Sequence, residues 1–69
     1  MEVLIDKEFI TLAQLLKMAD LISTGGEAKY FLQENQVRVN GIQDQRRGRK
    51  LYPDDVIEIA HESYRIKVR

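Results

Sequence analysis

Apolar positions along the chain change period several times, and each change marks an element. Val3, Leu4 and Ile5 are β-prone residues flanked by charge, which predicts a strand over 2–5. Leu12, Leu15, Leu16 and Ala19 then fall at i, i+3, i+4 and i+7, the stripe of one helical face, with Ala13, Gln14, Lys17 and Asp20 off it. Thr11 and Gln14 have the spacing of a capping box, so the first helix is predicted over 11–21. Thr24 and Glu27 repeat that spacing, and Ala28, Phe31 and Leu32 supply a second apolar stripe. On this reading Gly25 and Gly26 sit in the first turn of the second helix, where they leave backbone N–H groups open at a positive dipole end. A flexible corner between the helices is the alternative.

The second half has the period of strands. Val37-Arg38-Val39-Asn40-Gly41-Ile42-Gln43 places Asn-Gly between alternating apolar residues, the signature of a two-residue type I′ hairpin with positive φ at both turn positions. A polar, basic stretch follows, and Tyr52-Pro53-Asp54-Asp55 is a turn with proline at its usual position. Val56, Ile57 and Ile59 predict another strand and His61-Glu62-Ser63 a turn. Tyr64, Ile66 and Val68 alternate with Arg65, Lys67 and Arg69 in a final half-buried strand. The order β-α-α-β-β-β-β gives an α+β class, with two short helices packed on one face of a small, mainly antiparallel β-sheet.

Length and composition narrow the function. With 69 residues the chain is expected to form one domain, near the lower size limit for a self-supporting core. It has no cysteine and one histidine, which leaves no thiolate metal site and little equipment for an enzyme. No apolar run approaches the length of a membrane span, and the first residues lack a signal-peptide layout, so a cytoplasmic, non-membrane, monomeric protein without cofactor or metal is expected. The formal net charge of zero conceals a strong segregation. Residues 1–34 carry three basic and six acidic groups, and residues 54–69 carry three and four. Residues 35–53 carry Arg38, Arg46, Arg47, Arg49 and Lys50 against Asp44 alone, a net of +4. Such a patch on a neutral protein attracts polyanions locally.

The ordered set of motifs resembles the S4 RNA-binding domain. It comprises Leu12-x-x-Leu15-Leu16-Lys17, then Ala28-Lys29-x-x-Leu32, then Val37-Arg38-Val39-Asn40-Gly41, and finally Asp54-Asp55-Val56-Ile57, in register from about Ile10 to Ile59. The segments Gly25 to Leu32 and Arg46 to Leu51 are similar to those of small stand-alone bacterial S4 proteins of the YaaA and YbcJ type. The resemblance implies the S4-like αL motif, whose two helices and hairpin make one surface for structured ribosomal or transfer RNA. It therefore implies a non-catalytic RNA-binding module, with the ribosome as a partner. The residues it points to are Lys17, Gly25, Gly26, Lys29, Arg38, Asn40, Gly41, Arg46, Arg47, Arg49 and Lys50. S4 domains often carry basic residues at the start of the first helix and between the helices. Thr11, Asp20, Ser23, Thr24 and Gly25 stand there instead, which shifts the expected contact to the 46–50 loop and the glycine turn.

Alternatives accompany several of these residues. Lys17 is equally a solvated partner of Asp20 at i+3. Met18 and Tyr30 are expected to be packing residues. Tyr52 is expected to be a strand-edge core residue, with base stacking as its other role. His61 has no second histidine and no nucleophile beside it. A protein-interaction adaptor of the same fold is the competing function, and the detached targeting part of an RNA-modifying enzyme is a third.

Overall fold

Alternation along the strands decides which side of the sheet is dry. In the computed structural model, which describes residues 1–69, β1 (Glu2–Ile5) buries Val3 and Ile5 and exposes Glu2 and Leu4. The chain continues through β2 (Ile10–Thr11), α1 (Leu12–Met18), α2 (Glu27–Glu34), β3 (Val37–Val39), β4 (Ile42–Gln43), β5 (Lys50–Leu51), β6 (Val56–Ile59) and β7 (Glu62–Val68). Five strands make one sheet in the order β1-β7-β6-β3-β4. Every pair in it is antiparallel except β1 with β7. β2 and β5 form a separate antiparallel pair, Ile10 opposite Leu51, that the sequence pattern does not announce.

Val37, Val39, Ile57, Ile59, Tyr64 and Ile66 point from the sheet into the same buried cluster as Leu12, Leu15, Leu16, Ile22, Ala28 and Leu32. Both helices therefore lie on one face of the sheet, and the class is α+β as expected. The opposite face is left to Glu2, Arg38, Glu58 and Arg65. A chain this short has one core, so truncating a fully buried Leu15 or Leu16 to alanine, at a cost of about 2–5 kcal/mol, removes much of its stability.

At α1 the capping box is complete: Thr11 Oγ1 accepts from the Gln14 N–H at 3.2 Å, and Gln14 Oε1 accepts from the Thr11 N–H at 2.8 Å. The helix ends at Met18, three residues before the expected Leu21, because Asp20 turns left-handed with φ 62°. The Asp20 N–H then bonds the Lys17 carbonyl and the Leu21 N–H the Leu16 carbonyl, which is a Schellman ending with aspartate where glycine is usual. At α2 only half the box exists. Glu27 accepts from the Ser23 and Thr24 N–H groups at 3.3 and 3.2 Å, but no side chain caps the helix, and its N-cap is Gly26. Gly25 and Gly26 thus precede the helix and are not its first turn. Met18 and Tyr30, expected to pack, are exposed: Met18 is the last residue of α1 and borders an open groove, and Tyr30 lies on the outward side of α2.

Two tight turns join the strands. Asn40 and Gly41 have φ of 53° and 84° between Val39 and Ile42, the type I′ hairpin expected. β6 and β7 are joined by the same geometry at Ala60 and His61, φ 48° and 73°, so the turn is shorter and one residue earlier than 61–63, and Glu62 and Ser63 belong to β7. Histidine tolerates that backbone region better than most residues but less well than glycine, and alanine there costs roughly 1–2 kcal/mol. Ala60→Asn combined with His61→Gly should therefore raise the thermal midpoint, by roughly 4–8 °C for each kcal/mol recovered. Gly41→Val, which puts a β-branched residue at φ 84°, should lower it. Thermal melts of the two variants beside the wild type check both directions.

Candidate functional site

The basic stretch is shaped by the one acid within it. Asp44 is buried, and its carboxylate accepts from Arg46 Nε at 3.1 Å, Arg46 Nη2 at 2.7 Å and Arg49 Nη1 at 2.8 Å. It also accepts from the Arg46 backbone N–H at 3.0 Å. The Arg46 guanidinium holds the Asp44 carboxyl well below the usual carboxylate range; burial opposes this, and the Arg46 N–H and the Arg49 guanidinium reinforce it. The carboxylate raises the pKa of Arg46 in return. The Arg46 side chain nevertheless stays 72% exposed and that of Arg49 33%.

Backbone and amide contacts tie this loop to both helices. The first N–H groups of α1 have no partner within their own helix. Here the Leu12 N–H donates to the Arg49 carbonyl at 2.8 Å and the Ala13 N–H to the Arg47 carbonyl at 3.0 Å. At the other helix, Gln45 Nε2 donates to the Leu32 and Asn35 carbonyls at the α2 C-terminus. The start of α1 is thereby closed by the loop's carbonyls, and the loop is fixed between one helix's beginning and the other's end.

This fixture sorts the candidate residues. Arg47 lines a shallow hollow with Lys29, Leu32, Gln33 and Gln45. Arg46, Gly48, Arg49 and Lys50 line a neighbouring one with Tyr52 and Asp55. Arg47, Lys50 and Lys29 have no carboxylate within salt-bridge reach. Five cations against Asp44 and Asp55 leave these two hollows with a net of +3. Tyr52, expected in the core, is 43% exposed, because β5 ends at Leu51 and the chain turns at Pro53. Its ring centroid lies 5.7 Å from that of Phe9, and Lys50 Nζ lies 4.9 Å over the Phe9 ring.

Other candidates lie elsewhere. Lys17 borders a groove with Lys7, Met18 and Arg69, and it makes no ion pair with Asp20, whose N–H bonds its carbonyl instead. Arg38 lies on the open side of the sheet, opposite Glu58. Asn40 is occupied internally: its Nδ2 donates to Asp55 and its Oδ1 accepts from the Val56 N–H, both at 3.0 Å. Gly41 serves the hairpin. Gly25 and Gly26 stand at the opposite end of α2 from the carbonyls that Gln45 caps, beside the Glu27 carboxylate. Gly48 does not adopt the left-handed conformation, and an added Cβ there meets only open space. Sequence reasoning missed Phe9, Gln45 and the organising role of Asp44. The last had a visible signal, a single acid among five basic residues.

The comparisons with known proteins bear on the family and the fold. The S4 domain family model matches residues 3–67. The probable ribosome maturation protein RlbA of Bacillus subtilis (strain 168) is 62% identical over 55 residues, which cover 80% of this chain and 78% of that one. The crystal structure of the 30S ribosomal protein S4e from Thermoplasma acidophilum superposes with a TM-score of 0.61 at 30% identity. That match covers 87% of this chain but only 32% of the S4e chain.

Asp44 gives the site a pH signature. A carboxyl whose pKa is lower folded than unfolded stabilises the fold above its unfolded value and loses that contribution as pH falls through its folded value. Asp44→Asn should lower the melting midpoint at neutral pH, and its gap from the wild type should narrow as pH drops below the ordinary value of 3.8. Melts across an acid series measure that gap; a constant one would mean the arginines gain nothing from the carboxylate's charge.

Proposed function

The chain belongs to the S4 domain family, and from that membership we propose that it is a non-catalytic module that binds structured RNA of the ribosome through the face built by the 44–50 loop and α2. The observation that carries this reading is the rigid display of Lys29, Arg47 and Lys50. Lys29 on α2 and Arg47 and Lys50 of the loop have no carboxylate partner, and the loop is bonded to α1 through its backbone and to α2 through the Gln45 side chain. Like charges kept together in this way favour a ligand of repeated negative charge, and a fixed spacing favours one whose phosphates are themselves fixed. Folded RNA has that property, and it is recognised through shape, phosphates and 2′-hydroxyls. The names of the relatives point the same way: one is a probable ribosome maturation protein and the other a 30S ribosomal protein. Ribosomal RNA, alone or within an assembling subunit, is accordingly the proposed partner.

A triple variant tests it without disturbing Asp44. Lys29→Ala, Arg47→Ala and Lys50→Ala together should keep the melting midpoint and weaken binding to purified ribosomal subunits and rRNA fragments. Each lost phosphate contact should flatten log K against log salt by roughly 0.7–0.9. Arg65→Ala, on the open side of the sheet, is the control and should bind like the wild type. Unchanged affinity and slope in the triple variant would sink the proposal, and salt-insensitive binding to a ribosomal protein would favour the adaptor function.

A further inference from the structure

The 44–50 loop faces more than cations. Tyr52 stands at the edge of the open hollow that Arg46, Arg49 and Lys50 line. Phe9 has Tyr52 beside it, at an interplanar angle of 44°, and Lys50 over its ring. Phe9 is thus partly covered, and the more open aromatic surface at this hollow is that of Tyr52.

The position of Tyr52 is set with unusual care for an exposed residue. Its N–H donates to Asp55 Oδ2 at 2.8 Å, and its carbonyl accepts from the Asp55 N–H at 3.0 Å, across a turn with Pro53 second and Asp54 third at φ 75°. Asp55 is gripped in turn by Asn40 of the hairpin. This leaves the one acid in the hollow engaged in backbone support. A rigid ring presented this way loses little freedom on binding.

A flat apolar face beside three cations matches one chemical unit, a nucleotide, whose base has a π-face and whose phosphates are anionic. A base inside a duplex is already stacked on both sides, so only an unpaired base can reach the ring. We propose that Tyr52 stacks an unpaired base of the bound RNA while Arg46, Arg49 and Lys50 hold the phosphates that flank it, so that the protein selects junctions between paired and unpaired RNA. This inference rests on the RNA-binding reading above and adds the feature of the RNA that is recognised.

The test compares a fully paired RNA hairpin with the same hairpin carrying one bulged 2-aminopurine. The wild type should bind the bulged form roughly 10-fold tighter and quench its fluorescence. Tyr52→Leu, which keeps an apolar side chain against Phe9 but has no π-face, should bind the two hairpins alike without quenching; a thermal melt verifies its fold. Tyr52→Phe should keep both the preference and the quench. If the wild type binds both hairpins equally and quenches nothing, or Tyr52→Leu keeps the preference, stacking is overturned while RNA binding stands. If the wild type binds neither hairpin nor ribosomal RNA, the RNA-binding reading itself fails and the stacking role with it.

Discussion

The carboxylate of Asp44 is the constraint on which the site depends. Arg46, Arg47, Arg49 and Lys50 occupy four of five consecutive positions, and alone they would repel one another and hold no single shape. A buried acid two residues before them draws two guanidiniums and a backbone N–H to one point. The cost of burying the charge is offset because every strong contact is charge-assisted. Once the turn is fixed, its carbonyls face the open start of α1, and Gln45 faces the open end of α2. Loop order, helix capping and charge display thus follow from one ion cluster.

That cluster also divides labour among the basic residues. Arg46 and Arg49 give part of their charge to the fold and keep an exposed side. Arg47, Lys50 and Lys29 give none to a carboxylate. A ligand rich in phosphate therefore meets two kinds of cation, some partly compensated by Asp44 and others uncompensated. Rigid arginines favour bidentate geometry, and lysines act as adaptable point charges.

Local signals were legible in the sequence and distant ones were not. The Leu12-Leu15-Leu16 stripe, the Thr11–Gln14 box and the Asn40-Gly41 hairpin all depend on neighbours within a few residues, and all appear as expected. The family was legible too, because its motifs keep their order along the chain. The end of α1 was not, since aspartate at Asp20 is a weak marker of a left-handed residue. Nor was the turn at Ala60 and His61, which has neither glycine nor asparagine and puts an alanine in a conformation it ordinarily avoids. The site was half visible. Its charges could be counted, but Lys17 and Arg38 were separated from the loop only by three-dimensional placement, and the Phe9–Tyr52 pair joins residues 43 positions apart.

The parallel pairing of β1 with β7 fixes an order of events during synthesis. Glu2 lies opposite Arg65, and β7 stands between β1 and β6 in the sheet. β1 thus leaves the translating ribosome long before β7, its one ladder partner. While elongation proceeds, Val3 and Ile5 have neither their ladder partner nor half of the core they will enter. A bare apolar strand in that interval is a template for intermolecular association. The charges that bracket it, Glu2 before and Asp6, Lys7 and Glu8 after, act as gatekeepers for the nascent chain. Their value lies in the growing polypeptide rather than in the finished domain, where all four face open solvent with no ion-pair partner.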